Sequence, residues 1–310
     1  MEFKHISVLL EESVDMLDIK HGGIYVDGTL GGGGHSELIL KRDESIRLVG
    51  IDRDKTALAA ASERLEKYKN RTTYIHDNYR NIKKILNDLN IAGLDGAILD
   101  LGVSSPQLDV GERGFSYHQN ARLDMRMNQE DGISAYEVVN TYSEEALKKI
   151  IFDYGEERYA PRIAAKIVES RSQRPVETTF ELSEIIKGAY PAKERFADKH
   201  PAKRTFQAIR IEVNRELELL KPALEDFVDV LNPGGVLAVI SFHSLEDRIV
   251  KNVFSDAARG CECPKNFPVC VCGKKPKIKI INKKPVISGE KELNENIRAH
   301  SAKLRGAKKL

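Results

Sequence analysis

No stretch of this 310-residue chain is apolar for the roughly 20 residues that a bilayer-spanning helix needs, so no membrane partner is expected. The opening residues, Met1-Glu2-Phe3-Lys4-His5, do not read as a secretory leader, and a cytoplasmic location is expected. Cysteine is scarce. Cys261, Cys263, Cys270 and Cys272 share one 12-residue window, which is not a disulfide framework for a chain of this length. There is no internal repeat. A large net charge is absent too, with 49 Lys and Arg against 47 Asp and Glu. That near-balance hides an uneven spread: residues 273–310 carry 12 basic against 3 acidic residues, and residues 1–272 carry 37 against 44. A basic end on a mildly acidic body suggests either a polyanion partner or a solvated, partly disordered tail, and charge alone does not choose between them. What is present is ordinary globular material, 41% hydrophobic and 31% charged, in a chain long enough for one large domain or two.

Two phosphate signatures are also missing from the one glycine-dense stretch, Ile24-Tyr25-Val26-Asp27-Gly28-Thr29-Leu30-Gly31-Gly32-Gly33-Gly34-His35-Ser36. No Gly-Lys-Ser/Thr follows it, and its spacing is not G-x-G-x-x-G. It reads as a strand ending in acid, then a turn that opens a helix, the usual crevice at the carboxyl end of a parallel sheet. Asp27 stands where a pyrophosphate would pass; a carboxylate there repels phosphate and attracts a cation. S-adenosylmethionine carries a sulfonium and an ammonium and no phosphate, so it suits this turn better than a dinucleotide. A second strand, Leu48-Val49-Gly50-Ile51-Asp52, places Asp52 about 20 residues past the glycines, where an acidic side chain takes ribose hydroxyls. An ordinary turn with a surface Asp is the plain alternative.

Around this stretch the chain alternates. A helical pattern over 6–19, with Ser7 as a cap, precedes the strand at 24–27. Helices at about 36–41, 54–68 (capped by Asp54) and 81–90 separate strands at 48–52, 72–76 and 95–101, the last ending in acid at Asp100. This order predicts a mostly parallel sheet covered on both faces. The next clear strand is 236–241, after the turn Asn232-Pro233-Gly234-Gly235, and the interval is too long for a loop. Stripes at Leu147, Ile150, Ile151 and Tyr154, at Ile163, Ala164, Ile167 and Val168, and at Leu182, Ile185 and Ile186 make it helical. Phe206, Ile209, Val213, Leu217 and Leu220 line a longer helix interrupted near Pro222. The expected organisation is a sheet domain in two parts, 1–110 and 211–310, around an all-helical substrate domain at 111–210 standing over the crevice. Any sixth and seventh strands must come from 274–310, where Ile278–Ile281 has β character.

Seven blocks together carry a family resemblance: Asp27-Gly-Thr-Leu-Gly-Gly-Gly-Gly-His-Ser36, Asp100-Leu-Gly-Val-Ser-Ser-Pro-Gln-Leu-Asp109, Arg113-Gly-Phe-Ser-Tyr117, Leu123-Asp-Met-Arg-Met127, Tyr154-Gly-Glu-Glu-Arg158, Thr205-Phe-Gln-Ala-Ile-Arg-Ile211 and Ser241-Phe-His-Ser-Leu-Glu-Asp-Arg248. The chain resembles the bacterial small-subunit ribosomal RNA cytosine-N4 methyltransferases, the MraW/RsmH family, over nearly its whole length. The resemblance implies a class I S-adenosylmethionine-dependent methyltransferase sheet with a helical insert. It implies methyl transfer to the exocyclic amine of a decoding-region cytosine, with ribosomal RNA or the small ribosomal subunit as partner and a monomer or homodimer as the acting form. It implies cofactor contacts at Gly33, Gly34, His35, Asp52, Tyr79, Asp100 and Gln107. Tyr79 stands where many relatives have Phe, which keeps an aromatic face for adenine. The block Asn296–Arg305 departs from relatives that show Pro and a second Arg there.

For the chemistry, Asp100 or the turn after it, Gly102–Pro106, is the candidate acceptor for an amine hydrogen; the alternative is that Asp100 only orients the cofactor. Phe115, Tyr117, Phe242 and His243 are candidates for clamping an extruded base by position alone, His243 reading more simply as a loop histidine. Arg158, Arg162, Lys166, Arg171, Arg174, Lys193, Arg195, Lys199, Lys203 and Arg204 are candidate RNA-backbone cations or the solvated faces of helices. The four cysteines, as two C-x-C pairs, could hold a structural zinc, although the family does not in general depend on such a cluster. No metal is expected in the chemistry. An NAD-dependent oxidoreductase and a non-enzymatic RNA-binding factor are the rival classes, disfavoured by the missing fingerprint and by the intact acid–glycine–acid set.

Overall fold

The computed structural model of the chain describes residues 7–103, 111–130, 132–195, 200–261, 263, 269 and 271–310. Two compact units emerge, Met1–Gly102 with Leu217–Leu310, and Val103–Glu216. The divisions fall at 102/103 and 216/217, whereas the sequence reading put them at 110 and 210; residue 210 lies inside one unbroken helix.

The first unit is built on seven strands, β1 (Ile24–Asp27), β2 (Arg47–Asp52), β3 (Thr72–His76), β4 (Leu94–Asp100), β5 (Leu231–Ser241), β6 (Ile278–Ile280) and β7 (Lys303–Lys309). Their order across the sheet is β3-β2-β1-β4-β5-β7-β6. The first five run parallel, and β7 pairs antiparallel with both β5 and β6. This is the class I methyltransferase arrangement. Side chains alternate across a strand, so an unbroken apolar run feeds two cores. Val26, Leu99, Leu237 and Val239 lie in one core with α4 (Ile82–Asp88), α10 (Glu216–Val230) and α11 (Ser244–Ala258). Their neighbours Tyr25, Ile98, Val236 and Ala238 lie in the other, with α1 (Leu10–Met16), α2 (Gly34–Arg42) and α3 (Lys55–Arg64).

Two local expectations fail. Ser7 does not cap α1; the helix starts at Leu10, and its N-cap Leu9 is left-handed (φ 49°) with no side-chain cap. The Leu9 amide donates instead to Glu292 Oε1 (2.7 Å), so a residue 283 positions away does the capping work. Nor does the long helix break at Pro222. It ends at Arg215, whose φ of 52° makes a left-handed stop, and α10 then runs straight through Pro222.

The second unit is all helical among its described residues, apart from one isolated bridge between Arg122 and Thr178. It holds α5 (Ala135–Thr141), α6 (Glu144–Gly155), α7 (Ala160–Gln173), α8 (Thr179–Ala189) and α9 (Ala202–Asn214). Helix starts are written into its sequence: Ser134 with Glu137, and Thr178 with Glu181, form reciprocal capping boxes. The predicted stripes supply its own core, including Leu147, Ile151, Ile163, Ile167, Leu182 and Ile186.

Candidate active site

The β1–α2 turn is held by its own main chain. The Gly28 amide donates to Ile98 O (3.0 Å), that of Leu30 to Ile51 O (3.0 Å) and that of Gly33 to Leu30 O (2.8 Å). Gly31 (φ 50°) and Gly33 (φ 74°) occupy left-handed conformations that favour glycine. Gly28 is required for a different reason: a Cβ there would lie 2.4 Å from Leu99 Cδ2 and 3.2 Å from Tyr79 Cβ. A Cβ on Gly32 would meet nothing within 4 Å, so the turn presents bare backbone on that side.

Parallel register brings three acids to one edge. Asp27 pairs with Gly50 on β2 and with Ile98 on β4, so Asp52 and Asp100 end the flanking strands two residues further on. Each has a distinct job. Asp52 Oδ2 accepts from the Gly31 amide (2.8 Å), which pins the glycine turn, and Oδ1 from that of Asp54 (2.9 Å). Asp27 is 1% exposed and looks inward. Its oxygens accept from Ser36 Oγ (2.7 Å) and the Thr29 amide (3.2 Å), so its carboxylate braces the turn instead of meeting a ligand directly, a correction to the sequence reading. Burial lifts its pKa to about 6. Asp100 is the exception. Its amide donates to Thr29 Oγ1 (2.6 Å), but its buried Oδ1 has no hydrogen-bond partner among the described residues. Burial, then Asp27, then Glu246 push its pKa well above the usual carboxylate range.

Glu246 is the fourth acid, and sequence reasoning gave it no role. It sits at the third position of α11, after β5, with Oε2 accepting from the amides of Phe242 (2.9 Å) and His243 (3.3 Å). His243 closes the capping box through Nδ1, so it works as a helix cap. The His243-x-x-Glu246 spacing before an apolar stripe was the signal available. Asp52 and Asp100 end their strands beside an open glycine backbone, with Asp27 and Glu246 buried behind them, and this acidic edge favours a cationic ligand with hydroxyls over a phosphorylated one.

The sequence-predicted residues therefore meet in one place as far as they are described. Gly33 caps α2 and Gly34 starts it. The His35 ring is 5% exposed and its Nε2 lies 3.1 Å from Val8 O, so the side chain ties α2 to the preceding segment and only its backbone faces the turn's open side. Tyr79 begins a short helical turn capped by Asn78 and packs beside Gly28. Gln107 lies outside the described residues, as do Lys199 and Cys270 and the turn after Val103. The Sγ atoms of Cys261, Cys263 and Cys272 lie within 4.8 Å of one another.

Several expected contacts are otherwise engaged. Phe115 is 6% exposed inside the helical core, and Tyr117 stacks on His200 with centroids 4.4 Å apart. Arg171 donates to Val139 O (2.6 Å), Arg195 to Tyr190 O (3.0 Å) and Arg204 to Glu156 O (3.1 Å), closing helix ends. Arg158 pairs with Glu194, Arg174 with Glu181 (2.6 Å) and Lys166 with Glu169 (2.9 Å). The basic 273–310 segment is no loose tail. It supplies β6 and β7, and its cations pair with acids of the body: Arg305 and Lys303 with Asp247 (2.6 and 3.3 Å), Lys277 with Asp229 (2.8 Å) and Lys308 with Asp18 (3.0 Å). No helix among the described residues is long and apolar enough to cross a membrane.

Known proteins resemble this chain from end to end. The model of the MraW methylase family matches residues 2–310. A protein of Clostridium botulinum named "Ribosomal RNA small subunit methyltransferase H" is 57% identical over 100% of both chains. One of the same name from Lachnospira eligens is 56% identical over 98% of this chain and 97% of its own, and one from Brevibacillus brevis 54% identical over 100% and 99%.

Proposed function

The chain belongs to the MraW methylase family, and we propose that it transfers a methyl group from S-adenosylmethionine to the N4 amine of a cytosine in the decoding region of small-subunit ribosomal RNA. The observation that carries this reading is the buried Oδ1 of Asp100, without a partner among the described residues, beside an open glycine turn in a chain of this family. Small-subunit ribosomal RNA enters through the names of the relatives; the N4 amine and the decoding region enter through the sequence blocks that resemble the family.

When bound, S-adenosylmethionine supplies an electrophilic methyl group on a sulfonium. The residues proposed to hold it are the backbone of Gly33, Gly34 and His35, the Asp52 carboxylate for ribose hydroxyls, the Tyr79 ring for adenine, and Asp100; Gln107 joins them by resemblance alone. The four carboxylates favour the cationic cofactor electrostatically. Cytosine's amine is a poor nucleophile because its lone pair is delocalised into the ring. Asp100 Oδ1, accepting a hydrogen bond from that amine, would favour the pyramidal nitrogen on which the lone pair becomes available. Fixed placement of the base does the rest, and it can remove several kcal/mol of barrier. The base must leave its stack to be reached.

The test compares small-subunit RNA from cells with and without this protein. Loss of one methylcytosine, restored by the wild-type chain and not by Asp100→Ala, is the expected result. An unchanged methylation pattern overturns the reading. Calorimetry with ligand-stripped protein checks the cofactor independently: heat from S-adenosylmethionine or its demethylated product is expected, and saturation by NAD instead would sink it.

A further inference from the structure

Outside the crevice, the link between α11 and β6 carries four cysteines, and the three that are described, Cys261, Cys263 and Cys272, converge in a geometry that packing does not explain. The link closes at its neck. Lys277 N–H donates to Ala257 O (2.8 Å), and a Cβ on Gly260 would come within 3.3 Å of Pro276 Cδ. Of the described residues beyond the neck, Val269 and Val271 are 70% and 74% exposed, so these apolar side chains contribute little order by burial. The thiols supply a candidate source of order. Cys261, Cys263 and Cys272 converge to within 4.8 Å, and Sγ of Cys272 lies 3.8 Å from Sγ of Cys261. Zinc–thiolate bonds of about 2.3 Å at tetrahedral angles set two sulfurs about 3.8 Å apart. A disulfide would need about 2.05 Å and would leave the third thiol unexplained. Two backbone amides already point at sulfur: Cys263 N–H donates to Cys261 Sγ (3.3 Å) and Val271 N–H to Cys263 Sγ (3.4 Å). Donors of this kind fix the orientation of the sulfur atoms, as outer-shell hydrogen bonds do around metal ligands.

We propose that Cys261, Cys263 and Cys272 are three ligands of a structural zinc ion that staples the α11–β6 link. Binding displaces the thiol protons to solvent, and the three thiolates take three corners of a tetrahedron. The site is separate from methyl transfer, so its failure and the failure of the proposed activity are distinguishable.

The experiment uses the full-length chain, purified without chelator in a non-chelating reductant, with zinc measured by elemental analysis. About one zinc per chain is expected, falling to near zero in Cys261→Ser and Cys272→Ser. Cobalt substitution should give the visible bands of a tetrahedral thiolate site. Circular dichroism on each variant guards against global misfolding, since the link is exposed. Proteolytic cleavage within 259–276 of the zinc-loaded wild type should quicken on the order of tenfold after chelation. Metal-free wild type, zinc content unchanged by either substitution, or a Cys261–Cys272 disulfide found by mass under non-reducing conditions would each overturn the proposal.

Discussion

At the scale of single residues, the carboxylates at the strand ends behave differently because their partners differ. Asp52 accepts from the amides of Gly31 and Asp54, Asp27 from Ser36 and Thr29, and Asp100 Oδ1 has no partner among the described residues. Asp100→Ala is therefore expected to cut turnover at saturating cofactor by about 10²–10³-fold, the range seen when one transition-state hydrogen bond is removed. Single-turnover methylation checks it, and full turnover would demote Asp100 to an orienting role. For Asp27 the pH dependence has a definite sign. Its folded pKa is about 6 against an ordinary 3.8, so between those values the folded state holds a proton that the unfolded chain has lost. Its contribution to stability therefore grows as pH falls from 7 through 6 toward 4, by about 3 kcal/mol over the full window. Denaturant unfolding of wild type and Asp27→Asn checks this; the wild type should gain relative to the variant between about pH 7 and pH 5. Gly28→Ala forces a Cβ to 2.4 Å from Leu99 Cδ2, and a loss of about 1–3 kcal/mol in thermal unfolding is expected.

At the scale of elements, β7 covers what would otherwise be a sheet edge. It pairs with β5 from Val236 to Ser241 and is tied to α11 by Arg305, 10% exposed, on Asp247, 14% exposed. A chain truncated before Lys303 exposes the β5 edge, and aggregation on expression is the expected outcome, read by size-exclusion chromatography. Arg305→Ala removes one partner of a largely buried pair while leaving the strand. A loss of about 3 kcal/mol in chemical denaturation is expected, and a change below about 0.5 kcal/mol would mean the pair is solvated. The elements were the most legible level of the sequence. Strand ends at 27 and 52 coincide with those read from apolar runs and the acids that close them, and the end at His76 with that read from a β-branched and aromatic run. Asp54 caps α3 as its position before an Ala-rich stretch suggests. The break assigned to Pro222 was misplaced because a left-handed Arg215 carries no signature in residue type, whereas proline does.

At the scale of the whole molecule, charge left two readings open. The local excess of nine positive charges in 273–310 suggested a polyanion partner or a partly disordered tail; the segment forms β6 and β7, and its Arg305, Lys303, Lys277 and Lys308 pair with acids of the same unit, which rules out the loose tail. Arg171, Arg195 and Arg204 likewise serve carbonyls of the helical unit. RNA affinity measured across a salt series should consequently fall with a slope reflecting few phosphate contacts, about 3–5, and not the ten cations first counted. A slope near ten would show that those internal pairs open on binding.

The residue order by itself determined the alternation of strands and helices, the glycine turn, the helix caps and the family, because each is encoded within about ten consecutive positions or in long matching blocks. Only the tertiary structure decided that Asp27, Asp52, Asp100 and Glu246 share one edge, that His35 turns its ring to Val8, and that three cysteines meet. The shared acidic edge depends on strand order and register, which bring residues more than 200 positions apart into one electrostatic neighbourhood, whereas the cysteines meet through the local path of one short link; neither periodicity nor composition records either.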